Sequence, residues 1–542
     1  MTMKKTVRSL IALAMAAVML LGLVGCGLTA QEEQVDENTL VIQVESKGYG
    51  SQFARDLAEA YNAKNTGIRA VVLNDANSGG FASTALSTNT PVDVFFTIQN
   101  TVFQVMSGTE KNKWADLSDI YSSPLVGYAE SGEGVTVADG IEDFFVESFT
   151  YHDGKQYAVP WTAGFGGFMY NKTRWDKTNE NLKAAGQEPL KMPVTTNEMF
   201  ALFDRMQEQS VKEASNGAYV FTCSSDASGY LTYLFGNWYS QYAGREAAYN
   251  FLQGKDENGV YTADIFKSDA RIQAYDVMAK LLSAENGYTK LESNFQKMQR
   301  SFIKGTAMFS TNGDWMENEV SSDLNPGDAN IEFVRIPVIS SIVNADGIAA
   351  DFTGTDAEKE AKLITIINYI DENNLSAATA EAAGQLGVSE NTLQRLIEAR
   401  LVQYCTPSFC VVVPSYSDQM DAAKDFIKFM LSKEGQEIFM KSTYGIGAPL
   451  SVDMTQFDYY ANSTTLSKSK LNLLQNSIMI GDEGNSYPMQ YISGGLKMTM
   501  MDMINEFAGS KIISSETMAL NEYEHYKALW EDMMKAAGVK NN

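Results

Sequence analysis

The sequence predicts an α/β protein built as two or more lobes. Residues 39–96 alternate strand and helix patterns in the order that gives a parallel sheet. The chain has 542 residues, too many for one core of ordinary size. Hydrophobic residues make up 44% and aromatics 11%, enough to fill globular cores, so disorder is expected only in a stretch near the N-terminus.

Thr39–Val44 is a nearly continuous apolar run, suited to a strand buried on both faces. Phe53, Leu57, Ala60 and Tyr61 then recur at helical spacing up to the stop at Asn65-Thr66-Gly67. Ile68–Leu73 and Val92–Phe96 read as the second and third strands. Asn197–Met206 reads as a helix capped by Thr195 or Thr196, and Phe302–Thr311 as a helix end followed by a strand that closes at Asn312-Gly313-Asp314-Trp315. Ala422–Leu431 is a strongly amphipathic helix. Ala357–Val402 reads as a helical insertion. Its Gln385–Leu393 stretch imitates a DNA-binding helix-turn-helix, but Glu372, Glu381 and Glu398 make its surroundings acidic.

Lys4, Lys5 and Arg8 precede the apolar run Leu10–Leu23, which is too short to cross a bilayer and sits where a secretory signal sits. Leu23-Val24-Gly25-Cys26 resembles the lipobox of bacterial lipoproteins. That resemblance implies cleavage before Cys26 and acylation of it, which would hold an exported protein at the outer face of the cell membrane; each buried methylene contributes about 0.8 kcal/mol. The full chain carries a formal charge of −25, and the first 25 residues hold three positive and no negative charges, so the remainder stands at −28. Such a surface repels phosphate backbones and excludes nucleic acid as a partner.

His152 and His525 are the only histidines and lie far apart in sequence, which argues against a Ser-His-Asp triad or a multi-histidine metal site. No catalytic residue, metal site or cofactor is expected. Carboxylate-only hydrolysis needs no histidine and stays open. Cys223, Cys405 and Cys410 are too few for a disulfide framework; Cys405 and Cys410 either bridge or remain two buried thiols.

Asp153–Trp161 with Tyr170-Asn171-Lys172 resembles the family 1 extracellular solute-binding proteins of ABC importers. Pro91–Phe96, Lys304–Met308 with Asn312–Trp315, and Ala422–Ile427 follow in the family's order, so the likeness spans Leu40 to about Pro449. It implies a type II periplasmic-binding-protein-like fold: two lobes, each a mixed sheet flanked by helices, closing on a ligand by hinge motion. The implied division is a signal peptide at 1–25, a flexible tether at 26–38, lobe 1 at 39–160, lobe 2 at 161–332, a return to lobe 1 at 333–413 carrying the insertion 357–402, and lobe 2 with C-terminal helices returning toward lobe 1 at 414–542.

The resemblance also implies ligand-binding positions. Trp315 ends the motif whose tryptophan stacks on sugar in the family, and Asp314 beside it is placed to accept hydroxyl hydrogen bonds. Asn100 stands where a relative has a carboxylate, and Thr97 where it has a tryptophan. Glu45, Lys47 and Tyr49 match the loop after the first strand. Trp161 sits at a presumed crossing between lobes, and Trp238 and Tyr242 belong to an aromatic cluster of the second lobe; for these three, stacking on ligand and packing in the core are both open. The function implied is a monomeric, lipid-anchored protein that captures a carbohydrate, an oligosaccharide foremost, and delivers it unaltered to the transmembrane subunits of an ABC permease. A polyamine or other small solute is the alternative ligand, and a secreted glycoside hydrolase the rival of another class.

Overall fold

The computed structural model describes residues 35–45, 48–75, 78–98, 102, 113–128, 134–151, 153–321, 330–405, 409–481 and 514–539. The signal segment, Cys26, most of the tether, Lys47, Asn100 and His152 lie outside the described residues.

Among the described residues the strands run β1 (Thr39–Glu45), β2 (Arg69–Asp75), β3 (Val94–Ile98), β4 (Val159–Pro160), β5 (Gly166–Asn171), β6 (Tyr219–Ser224), β7 (Thr289–Glu292), β8 (Ala307–Gly313), β9 (Ile331–Val334), β10 (Val402–Cys405), β11 (Phe409–Val412) and β12 (Ile478–Gly481). The chain folds as two compact units. Unit 1 takes Met1–Gly140, Phe149–Trp161 and Ser408–Thr443; unit 2 takes Ile141–Ser148, Thr162–Pro407 and Tyr444–Asn542. This is the mixed α/β architecture expected, with a five-stranded sheet in each unit.

In unit 1 the strand order is β2-β1-β3-β11-β4. β1 pairs in parallel with β2 and β3, while β11 runs antiparallel to β3 and β4. Every residue of β1 is buried, as its unbroken apolar run requires. Helix Gln52–Ala63 connects β1 to β2 and turns Phe53, Ala54, Leu57, Ala58 and Tyr61 inward. The Tyr61 hydroxyl donates to Asp425 at 2.9 Å, fastening this helix to helix Met420–Leu431.

Unit 2 repeats the pattern as β7-β6-β8-β5-β9. β6 is parallel to β7 and β8, and β5 is antiparallel to β8 and β9. Helix Thr196–Met206 is capped by Thr195, whose hydroxyl accepts the Glu198 N–H at 3.3 Å. A separate parallel pair joins β10 to β12. In each main sheet the three parallel strands stand in the order second, first, third. The connections leaving the first and third strands therefore diverge, and a crevice opens at their carboxyl ends.

The units divide the chain differently from the sequence-based expectation. Residues 333–407 stay with unit 2, and the chain returns to unit 1 only for Ser408–Thr443. The insertion explains why. It forms helices Asp356–Glu372, Ala380–Leu386 and Glu390–Leu401, whose Leu393, Leu396 and Ile397 are buried. Arg395 donates to the carbonyls of Gln241 and Tyr242 at 3.0 and 2.8 Å, which ties the last helix to unit 2. Gly387 turns the chain between the second and third helices in the left-handed region, and Ser389 caps the third.

Cys223, Cys405 and Cys410 are free and buried, so of the two alternatives for Cys405 and Cys410 the thiols are realised. Burial pushes all three thiols up, Cys223 to about 12. Among the described residues no helix is long and apolar enough to cross a membrane.

Candidate functional site

The crevice rule points to one place in each unit. In unit 2 it is where the chain leaves β6 and β8. The segment after β6 enters the short helix Ser228–Leu231 and presents Tyr230; the turn after β8 presents Trp315. The indole N–H of Trp315 donates to the Tyr230 hydroxyl at 3.2 Å, and the ring centroids are 6.0 Å apart. Tyr233, on helix Thr232–Ala243, brings a third ring to 6.5 Å from the indole. Trp315 and Tyr230 are half-buried and Tyr233 is buried.

Two glycines make room for this cluster. Gly166 of β5 pairs with Gly313 of β8. A Cβ on Gly313 would fall inside the Trp315 ring, and one on Gly166 inside the Tyr233 ring. The rings therefore sit against bare backbone, a position that any side chain would deny them.

Beneath the rings, polar groups hold the turn. Asp314 is buried; its N–H donates to the Phe165 carbonyl at 2.7 Å, and its carboxylate accepts the Ile446 N–H. The observed carboxylate contact of Asp314 is thus to backbone. Burial and nearby Glu319 hold the Tyr230 phenol well above its usual range, so it keeps its proton at any physiological pH. That oxygen already accepts from the indole and has its proton left to donate. A half-open aromatic face beside a phenol donor suits a ring molecule with an apolar C–H face flanked by hydroxyls.

In unit 1 the corresponding place lies beyond β1 and β3. Glu45, at the end of β1, is buried and accepts from the Thr97 hydroxyl of β3 at 3.2 Å. Tyr49 is buried among Trp161, Phe409 and Phe439, with centroids 5.4, 5.2 and 5.6 Å away. Trp161 stacks on Phe53 at 4.8 Å, and its indole N–H is buried without a partner among the described residues. Such an orphan donor costs about 1–3 kcal/mol in a core unless a water or a ligand meets it.

The structure therefore gathers the named residues in part. Glu45, Tyr49 and Trp161 share one end of unit 1, and Asp314 and Trp315 one turn of unit 2. Trp238 is buried with its N–H on the Pro337 carbonyl at 3.1 Å, and the Tyr242 hydroxyl donates to Asp269 at 2.6 Å; neither contact involves the Trp315 cluster. Tyr230 and Tyr233 escaped sequence reasoning. The available signal was Tyr219–Ser224, a β-rich run ending in the polar stretch Ser225–Gly229, which announces a strand and its carboxyl-end loop. Among the described residues no group of three His, Cys, Asp or Glu gathers to hold a metal ion.

Comparison with known proteins bears on this geometry. A family model described as bacterial extracellular solute-binding protein matches residues 56–395. A comparison with curated proteins finds no match. Three solved structures illustrate the shared fold. The GacH receptor of Streptomyces glaucescens, solved unliganded and with acarbose, has 15% identity and a TM-score of 0.55 over 91% of this chain and 98% of its own. The cyclic α-maltosyl-1,6-maltose binding protein of Arthrobacter globiformis has 16% identity and a TM-score of 0.57 over 91% and 99%. RafE, solved with raffinose, has 13% identity and a TM-score of 0.55 over 91% and 99%.

Proposed function

Because the chain belongs to the bacterial extracellular solute-binding proteins, we propose that it captures a carbohydrate, foremost an oligosaccharide, and passes it unaltered to the permease of an ABC importer. In this reading Cys26 carries the lipid anchor that keeps the protein at the outer face of the cell membrane. Trp315 supplies the stacking face and Tyr230 a hydroxyl-directed hydrogen bond, with Tyr233 as the wall behind them.

The observation that carries the reading is the Trp315–Tyr230 pair, a fixed indole face with a protonated phenol at its edge. The acarbose and raffinose complexes of GacH and RafE, and the saccharide for which the Arthrobacter protein is named, support the choice of ligand class. Binding without chemistry predicts stoichiometric thermal stabilisation, with the added sugar recovered intact. A melting screen against mono- and oligosaccharides, amines and phosphates, with products followed by chromatography, tests it. Stabilisation by amines alone would overturn the ligand class, and turnover would replace the binder by a hydrolase.

A further inference from the structure

Lys470 is a cation buried within unit 2, 1% exposed, on helix Thr465–Gln475. Its ammonium donates to the Asp314 carbonyl at 2.9 Å and to the Tyr444 carbonyl, and stands 3.7 Å from Glu317. Glu317 is itself buried and accepts from the hydroxyls of Thr464 and, at 2.8 Å, Ser467. An ammonium has three N–H groups and no acceptor. Here it meets an acceptor from each of three chain segments: the turn after β8, the helical turn that follows it, and the segment opening at Tyr444.

The placement answers a backbone need. β8 ends at Gly313, so the Asp314 carbonyl lies past the sheet ladder, and a buried carbonyl there requires a donor. Tyr444 stands at φ +56°, a conformation that bulky residues adopt only when their surroundings impose it. The same segment is held at Ile446, whose N–H reaches the Asp314 carboxylate and whose carbonyl accepts the Thr162 hydroxyl at 2.5 Å. Ala163 donates to the Gly447 carbonyl at 2.8 Å. Trp315 follows Asp314 directly, so its orientation depends on this knot.

We propose that Lys470 is a positioning residue for the stacking platform: by joining the Asp314 and Tyr444 carbonyls it locks the Asp314–Trp315 turn and holds the indole over Gly313, ready for a sugar ring. The proposal rests on the reading of Trp315 as a carbohydrate platform. Lys470 touches no solute; it acts through the indole.

The test replaces the buried pair by neutral groups of similar size, Lys470→Met with Glu317→Gln, so that Glu317 is not left as a lone buried charge. The signal of Trp315 is isolated as the difference between each protein and its Trp315→Phe partner. Without sugar, the double variant is expected to expose this indole to acrylamide and to shift its emission. Raffinose and maltotriose, titrated calorimetrically, should bind about tenfold more weakly when Trp315 is present and within about twofold of control in the Trp315→Phe background. A lower melting temperature with unchanged Trp315 quenching and affinity overturns the proposal, as does equal weakening in both backgrounds. If neither sugar binds the wild type, the ligand reading fails, while the sugar-free quenching still decides the role of Lys470. Should the double variant not fold, Thr464→Val loosens Glu317 from its far side; a shifted indole supports the proposal and an unshifted one overturns it.

Discussion

The Trp315 indole N–H is bonded to the Tyr230 hydroxyl across two neighbouring strand ends, at 3.2 Å. That bond ties the carboxyl end of β8 to that of β6. It also spends the one polar atom of the indole, so the ring presents only its face.

Trp315→Ala is expected to abolish the sugar-dependent thermal shift, with affinity falling about 30-fold or more, the scale of a buried aromatic anchor. The unliganded far-UV spectrum should not change, because the ring is half-buried and its bond to Tyr230 is side chain to side chain, outside the backbone ladder. A shift equal to the wild type would remove Trp315 from the site.

Tyr230→Phe keeps the ring and deletes both the acceptor for the indole and the proton left to donate. Sugar affinity should fall about tenfold, as for loss of one hydrogen bond that leaves a partner unpaired. Calorimetric titration measures it, and an unchanged affinity would leave Tyr230 as packing alone.

Gly313→Ala places a methyl where the indole lies. The ring has to leave, so sugar binding should be lost while β8 keeps its pairing; quenching of Trp315 and a sugar titration on the same sample check both halves.

Arg271 and Glu522 form a fully buried pair in unit 2, with bonds of 2.8 and 2.6 Å, and Tyr275 donates to Glu522 at 2.8 Å. Phe235, Phe251 and Phe266 surround the guanidinium at 5.0, 4.8 and 5.6 Å. Glu522→Gln is expected to cost about 3–5 kcal/mol in urea unfolding, since it strands a buried charge. Arg271→Met with Glu522→Leu should recover much of that loss, and failure to recover would mean the pair is worth more than its desolvation.

Asp351 accepts from Thr392 and Ser389 at the start of the last insertion helix, which lowers its carboxyl to about 2. The folded value lies below the ordinary one, so its contribution is complete above about pH 4 and lost as pH falls through 2. The side chain faces solvent, so the effect stays below about 1 kcal/mol. Melting curves between pH 4 and 2 should flatten slightly in Asp351→Asn; identical curves would show that the cap contributes nothing.

The parallel core of unit 1 was legible because its strands are unbroken apolar runs with a helix of clear period between them. The cap at Thr195 or Thr196 was legible from residue type alone, and the structure places it at Thr195. The return of the chain to unit 1 was not. Leu393, Leu396 and Ile397 form an apolar face that any partner would satisfy; long-range polar contacts, Arg395 to the carbonyls of Gln241 and Tyr242 and Glu360 from Thr195 and Asn197, say which unit it serves. At the site, the tryptophan motif drew notice to Trp315, whereas Tyr230 depended on recognising β6 first. Lys470 carries no local signature; its partners lie at positions 314, 317 and 444.

The free cysteines give each half of the molecule its own clock. Cys410 belongs to unit 1, Cys223 and Cys405 to unit 2, and burial keeps all three as protonated, shielded thiols. A maleimide can therefore reach them only when the surrounding unit opens. Mass mapping of the alkylated peptides over time would report how often each unit unfolds locally, and whether a bound solute slows one opening or both.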